Sequence, residues 1–430
     1  MQSNVVKKVL GEVEVSKDLR LLLIIGGLYA MSVALSNTFV NVFLWKQSGE
    51  FLDLALYNLM SVMFQPLAFV AAGKLTKRVD RVIVLRIGVS LLSLFYITVL
   101  IVGENASSFL LLLGALLGMG IGCYWLAFNV LTFEVTEPDT RDFFNGFLGL
   151  LTSFAGMLGP FGAGLLITKM NNFSGYFVIF GISLVLFLVA VFLTTALTKR
   201  NAKGQFHIRT VIQERKKNMN WRRVLHAHFF QGLREGTFVF VIVVWVYVVT
   251  NNELALGTYG LVTSSVQLVC YYLITRLLKP IYRKKAILFG GILLYGAIFL
   301  LVFDLNFGKL ISYGVLVSIA YPALLIPYIS LTFDVIGRSH QAGELRVEYI
   351  VVRECFLNAG RIMSIVIFIA AVTAFPEEKV IPLILLVVGS GHFWIYFFVR
   401  KIHLGAPDDD DEAINYANQG ETEKGTGGTV

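Results

Sequence analysis

The chain is a series of apolar stretches, each about as long as a bilayer is thick, separated by short breaks that hold charges, proline or asparagine. Twelve such stretches run approximately over 19–44, 52–73, 82–102, 108–132, 144–168, 174–198, 224–250, 256–278, 286–305, 309–333, 347–373 and 381–401. Breaks such as Lys169-Met170-Asn171-Asn172 and Thr250-Asn251-Asn252-Glu253 separate them. A hydrocarbon core of about 30 Å is crossed by about 20 helical residues, so each stretch has the length of one transmembrane helix. In lipid the backbone must be satisfied within the segment, and the short alternating strands of a barrel are not seen. The pattern predicts an all-α integral membrane protein with twelve spans.

Composition narrows the function classes. Of 430 residues, 56% are hydrophobic without counting 39 glycines, and 15% are charged, where a soluble domain has about 25% charged. Mean hydropathy is +0.73. A soluble globule has too little interior to hide this much apolar surface, which excludes a soluble enzyme, a nucleic-acid-binding domain and a disordered chain. Cys123, Cys270 and Cys355 lie inside apolar segments at spacings that match no metal or redox motif, and read as small buried hydrophobes. The apolar run after residue 18 is too long for a signal peptide, so the N-terminus is expected to be retained.

Charge sets orientation. The net charge is +8, and when the N-terminus, every second loop and the C-terminus are placed on one side, that side holds 29 Lys and Arg residues. The opposite loops hold Lys46, Lys169, Lys309 and Lys379. The excess predicts a multi-pass protein of the plasma membrane with both termini cytoplasmic. The longest hydrophilic break divides the chain into a cytoplasmic segment 1–18, a six-helix bundle 19–198, a linker 199–223, a second six-helix bundle 224–402 and an acidic tail 403–430 expected to be disordered. The linker is expected to be solvated, with room for one short amphipathic helix.

The two bundles echo each other at a shift of about 200 residues. Leu131-Thr132-Phe133-Glu134-Val135 returns as Leu331-Thr332-Phe333-Asp334-Val335, and Thr38-Phe39-Val40 as Thr237-Phe238-Val239. Lys74-Leu75-x-Lys77-x-Val79-x-Arg81 is echoed by Arg276-Leu277-x-Lys279-x-Ile281-x-Arg283. Three matches in one order imply two parallel, pseudo-symmetric repeats with a central substrate cavity between them.

From about 19 to 401 the chain resembles the major facilitator superfamily of secondary transporters. Gly73-Lys74-Leu75-Thr76-Lys77-Arg78-Val79-Asp80-Arg81 is similar to that family's G-x-L-A-D-R-x-G-R loop. Lys77 stands where the family usually has Asp, and Asp80 where it usually has Gly. The resemblance implies a gating role for Gly73, Arg78 and Arg81. Gly146, Ala155 and Gly159-Pro160-Phe161-Gly162-Ala163-Gly164 in the fifth span are similar to the family's antiporter motif, with Ala155 and Ala163 replacing glycines. That series reads either as export by exchange or as a tightly packed, kinked helix at Gly159 and Pro160. Gly114, in a run with Gly118, Gly120 and Gly122, sits where proton-coupled members often carry Arg, which argues against coupling through the first bundle.

Charges at membrane depth are costly and mark cavities or partners. They cluster in the second bundle: Gln231, Arg234, Glu235 and Thr237 in the seventh span, and Arg353, Glu354, Asn358 and Arg361 in the eleventh, with Glu348 at its entrance. Glu354, Asn358 and Arg361 share a helix face. Entering from the same side, Glu235 and Arg361 reach comparable depth, so ion pairs Glu235–Arg361 and Arg234–Glu354 are expected. Glu235, with Arg353 and Glu354, is the candidate for proton coupling; mutual neutralisation that fixes packing is the rival reading. The first bundle offers neutral groups: Ser32, Ser36, Asn37 and Asn41 in the first span, and Tyr124, Trp125 and Asn129 in the fourth. Gln267, Tyr271, Tyr321 and Tyr328 add stacking or hydroxyl contacts. His226 and His228 read as interfacial, and Glu134, Glu137, Asp139 and Asp142 around Arg141 as partners of the basic loops in one gate state.

The expectation is a monomeric, non-enzymatic secondary transporter with no cofactor, no metal and no nucleic-acid partner. It moves a small or amphipathic solute through the bilayer by alternating access, coupled to protons and directed outward. A flippase for a lipid-like, envelope-precursor substrate and a non-transporting scaffold are the rival readings.

Overall fold

The computed structural model describes residues 16–136, 138–170, 173–199, 204–303 and 305–404, with backbone alone over 138–143. The expectations placed on residues 1–15, on the side chains of Glu137, Asp139, Arg141 and Asp142, and on the tail from 405 fall outside what is described. Among the described residues, eleven helical stretches are long and apolar enough to cross a bilayer. One of them, Arg81–Val135, covers 55 residues, more than twice the length of a single crossing. Gly103 breaks it: its φ of 55° is left-handed backbone that glycine adopts without penalty, and a turn of 3-10 helix follows at Gly103–Phe109.

The crossing helices are thus α1 (Lys17–Ser48), α2 (Phe51–Thr76), α3 (Arg81–Val102), α4 (Leu110–Val135), α5 (Pro138–Lys169) and α6 (Ser174–Thr194) in the first half. The second half holds α7 (Met219–Thr250), α8 (Glu253–Leu277), α9 (Pro280–Val302), α10 (Phe307–Gly337), α11 (Arg346–Ala374) and α12 (Glu377–Val399). Asparagine side chains cap α7, α8 and α10: Asn218, Asn252 and Asn306 each accept a hydrogen bond from a first-turn backbone N–H. The breaks that ended the apolar runs in sequence are therefore the caps that start the next helices. In the linker, Ile208–Lys217 forms a short helix, held by Trp221 Nε1 donating to Val211 O at 3.2 Å.

Packing repeats the sequence echo. Within the first half α1 meets α5 and α6, α2 meets α4, and α3 meets α4 and α6; in the second half α7 meets α11 and α12, α8 meets α10, and α9 meets α10 and α12. The halves touch through α2 with α11 and α5 with α8, which are each other's images under the same shift. The echoed residues pair alike: Arg81 Nε meets Glu134 at 2.8 Å, and Arg283 Nη1 meets Asp334 at 2.9 Å.

Small residues set the helix spacings that place the site. Gly114, Gly118 and Gly122 of α4 face the carbonyls of Tyr57, Ser61 and Gln65 on α2, four residues apart on both helices. A Cβ at Gly122 would lie 2.6 Å from Gln65 O, and this backbone contact leaves no room at Gly114 for a longer side chain. Between the halves, Pro160 of α5 packs on Gly257 and Gly260 of α8, where a Cβ at Gly257 would lie 2.6 Å from Pro160 O. Pro160 has no N–H to give the carbonyl one turn back, so α5 lacks that hydrogen bond at this crossing.

Candidate functional site

α7 and α11 cross at glycines. A Cβ on Gly232 would run into Leu357 O and one on Gly360 into Phe229 O, while a Cβ on Gly236 would lie 2.5 Å from Arg361 O. Backbone-to-backbone approach puts Glu235 directly against Arg361. Arg361 Nη2 donates to Glu235 Oε2 at 2.6 Å and its Nε to the same oxygen at 3.2 Å. The other oxygen, Oε1, accepts from Gln231 Nε2 at 2.9 Å and from Tyr321 Oη at 3.1 Å. Asn358 Oδ1 accepts from Arg361 Nη1 at 3.4 Å. The carboxylate is thereby paired and oriented from both sides.

The pair lines a cavity of ≈ 590 Å³ between the halves. Its second-half wall includes Arg234, Glu235, Gln267, Tyr321 and Arg361; its first-half wall includes Tyr29, Asn37, Asn41, Asn58, Gln65 and Trp125. Asn58 Nδ2 donates to Asn41 Oδ1 at 2.8 Å, and Trp125 Nε1 donates to Tyr29 Oη at 3.0 Å. The first-half wall is amide and aromatic, and the charged groups all lie on the second-half wall, beside Gln267 and Tyr321. Two guanidiniums and one carboxylate line the cavity, so it carries a net charge of one positive unit. A second cavity of ≈ 360 Å³ lies toward the linker face, lined among others by Asn129, Phe333, Arg353 and Glu354, and shares Gln65, Trp125 and Arg361 with the first.

Both ends of this path are latched across the halves. On the face away from the linker, Lys46 Nζ meets Glu253 at 2.8 Å, Tyr176 Oη donates to the same carboxylate at 2.9 Å, and the ammonium lies 5.2 Å from the Tyr176 ring and 5.7 Å from the Tyr247 ring. On the linker face, Lys77 Nζ donates to Glu344 O at 2.8 Å and lies 3.4 Å from the buried Glu348. Glu348 also accepts from the linker's His207 N–H at 3.2 Å. Lys77, a departure from the family loop pattern, thus reaches the other half. Gly73 packs against Phe206 and Val351, and Arg81 holds Glu134, whereas Arg78 is exposed. Replacing Glu253 by Gln is expected to open the far face. With Cys123, Cys270 and Cys355 changed to Ser, a cysteine at Asn37 should then react faster with an impermeant thiol reagent added to that face; an unchanged rate would show that the latch does not hold it.

The expected Glu235–Arg361 contact is present; other expectations need correction. Arg234 does not pair with Glu354: one residue round the helix from Glu235, it points to α10, donates to Tyr313 Oη at 3.1 Å and lies over the Phe238 ring. Glu354 instead takes Arg353 at 2.5 Å. Tyr124 is not on the cavity; it is buried within the first half, stacked on Tyr29 at 3.9 Å, and Tyr29 takes the lining position. Tyr271 is off the lining, which Gln267 one turn earlier occupies, and Tyr328 is buried in the second-half core. Gln231 and Asn358 brace the ion pair from behind rather than lining the cavity. His228 is not interfacial: it is buried, with Nδ1 3.0 Å from Gln231 Oε1 and Nε2 3.3 Å from Thr332 Oγ1. His226 is exposed at the start of α7. Ser32 and Ser36 serve packing, bonding α1 to Ser183 O and to Tyr96. The three cysteines are free and half-buried.

Sequence reasoning missed Asn58, Ser61 and Gln65 of α2, all on the cavity. Their i, i+3, i+7 spacing on an otherwise apolar helix is the signal that would have found them. It also missed His392, fully buried on α12 with its ring 5.8 Å from that of Tyr321, and the Lys46 latch.

A polar, charged cavity between two six-helix halves, latched at both faces, is the architecture of a multi-pass membrane transporter. The Major Facilitator Superfamily profile matches residues 22–345, and the chain belongs to that family. It is 56% identical over 413 residues, covering 96% of each chain, to the uncharacterized protein YqgE of Bacillus subtilis (strain 168). It is 61% identical over 174 residues to an uncharacterized protein in the sodM 3'region of Geobacillus stearothermophilus, covering 40% of this chain and 81% of that one. Among solved structures, a bacterial homologue of the iron transporter ferroportin in its inward-facing state superposes with a TM-score of 0.67 at 15% identity, over 90% of this chain and 99% of that one. The human organic anion transporter MFSD10 gives 0.64 at 12% identity, over 89% and 98%. At these identities the likeness shows the fold alone.

Proposed function

We propose that this secondary transporter moves an amphipathic anion together with a proton by alternating access, acting as a monomer in the plasma membrane with the linker face in the cytoplasm. The observation that carries the reading is the Glu235–Arg361 pair on the wall of a cavity with net positive charge. An anionic group entering the cavity competes with Glu235 for Arg361. A carboxylate that loses its cation in an apolar surround takes up a proton. Anion and proton therefore favour each other's binding, and by reciprocity each raises the other's affinity. The amide and aromatic first-half wall accepts the apolar and hydrogen-bonding body of the solute. The positive-inside excess supports the orientation.

The Gly159-Pro160 crossing favours a second reading, outward exchange, in which a cationic solute competes with the proton for Glu235. Direction of proton movement separates the two. Proteoliposomes loaded with a pH-sensitive dye and equilibrated at one pH would receive toluenesulfonate or benzyltrimethylammonium, whose charges are permanent. Co-movement acidifies the lumen when the sulfonate is added. Alkalinisation with the ammonium and no response to the sulfonate would replace this reading with exchange.

A further inference from the structure

The second cavity holds a guanidinium that the pairing of Glu235 with Arg361 does not use. Arg353 lies on its wall with its side chain about nine-tenths buried, at 11% exposure. Its one carboxylate partner is its sequence neighbour Glu354, through Nη2. Side chains at i and i+1 diverge around a helix, so Glu354 is reached sideways and engages one arm of the guanidinium, Nη2. Arg353 Nε is buried with no hydrogen-bond partner among the described residues. The guanidinium carbon lies 5.8 Å from the centroid of the Phe333 ring, and Phe69, Phe133 and Leu357 supply apolar wall. Asn129 adds an amide from the first half. A fork of donors beside apolar and aromatic walls fits an oxyanion, such as carboxylate or sulfonate, carried on an apolar body.

Arg361 borders both cavities, with Gln65 and Trp125 beside it. Eight residues separate Arg353 from Arg361 on α11, a rise of about 12 Å. The two guanidiniums are held by different carboxylates, Glu354 and Glu235, and both border the shared wall through which a solute can pass.

We infer that the second cavity is a separate binding station for the anionic solute, in which Arg353 holds the oxyanion on the linker side before it passes to Arg361. The inference rests on the proposed anion transport and adds to it a second site with its own residue. While Arg353 holds the solute, Glu235 and Arg361 remain paired. The proton is taken up only at the second step, when Arg361 is claimed, so a solute waiting at the linker face does not discharge the coupling.

Equilibrium dialysis of radiolabelled toluenesulfonate against the full chain in lipid nanodiscs tests this. Wild type is expected to bind two equivalents, with Arg353→Gln and Arg361→Gln each retaining one. Arg353→Lys, which keeps the charge without the fork, should recover the second equivalent at weaker affinity and serves as the control that the substitution site tolerates change. Thermal melting of each variant confirms folding. One equivalent in wild type that is lost with Arg361→Gln and kept with Arg353→Gln would overturn the second station and leave the anion reading standing. Binding that neither substitution alters would overturn both.

Discussion

Replacing Glu235 by Gln is expected to abolish proton movement, to the level of empty vesicles, while toluenesulfonate binding persists and tightens at neutral pH. On the proposed mechanism the wild-type carboxylate competes with the anion for Arg361, to which it is held by contacts of 2.6 and 3.2 Å. Protonation removes that competitor, so anion affinity in wild type rises as pH falls. Gln carries no charge at any pH and mimics the protonated state throughout. The sulfonate affinity of the variant should therefore be flat across the pH range in which wild type varies. Dialysis over a pH series, beside lumenal pH recordings, reads both effects. If Glu235→Gln binds the anion more weakly than wild type at every pH, the pair is a packing device, the carboxylate does not compete with solute, and coupling must be sought elsewhere.

The second large effect is on folding. Gly360→Val and Gly232→Val are each expected to prevent correct assembly of the second half, because a side chain at either position meets main-chain carbonyls of the facing helix, Phe229 O and Leu357 O. Overpacking where side chains can shift costs about 1–3 kcal/mol, and here the obstacle is backbone, so the cost is expected at or above the top of that range. Size-exclusion profiles and melting curves in detergent would show aggregated or early-melting protein. By contrast Gly146→Ala, at a position where an added Cβ meets nothing within 4 Å, should behave as wild type. A well-folded Gly360→Val with native melting would mean that α7 and α11 are not held at this spacing.

The spans and the central ion pair could be read from sequence because the bilayer enforces both: length is dictated by lipid thickness, and charges in lipid are rare enough that Glu235 and Arg361, entering from one side at similar depth, had few other partners. The finer site was hidden by angular position. Arg234 and Glu235 are neighbours in sequence but point about 100° apart on a helix of 3.6 residues per turn, so one reaches Tyr313 and the other Arg361. The same rotation places Trp125 on the cavity and Tyr124 behind it. Asn58, Ser61 and Gln65 were passed over because neutral polar residues are tolerated in membrane helices for interhelical bonds alone. The Lys46 latch joins residues 207 apart, a contact that no local periodicity encodes.

The walls of the main cavity divide unequally between the halves: its charged side chains, Arg234, Glu235 and Arg361, come from the second half, and neutral amides, hydroxyls and rings from the first. On the proposed mechanism the oxyanion and the proton are both handled by the second half, and the first half meets the neutral body of the solute. Changes at Asn58 or Gln65 are then expected to retune which solute body is carried without touching the Glu235–Arg361 pair, so that a lineage diversifies its cargo through the first six helices. Chimeras that exchange the first half between homologues should inherit selectivity from one parent and pH response from the other.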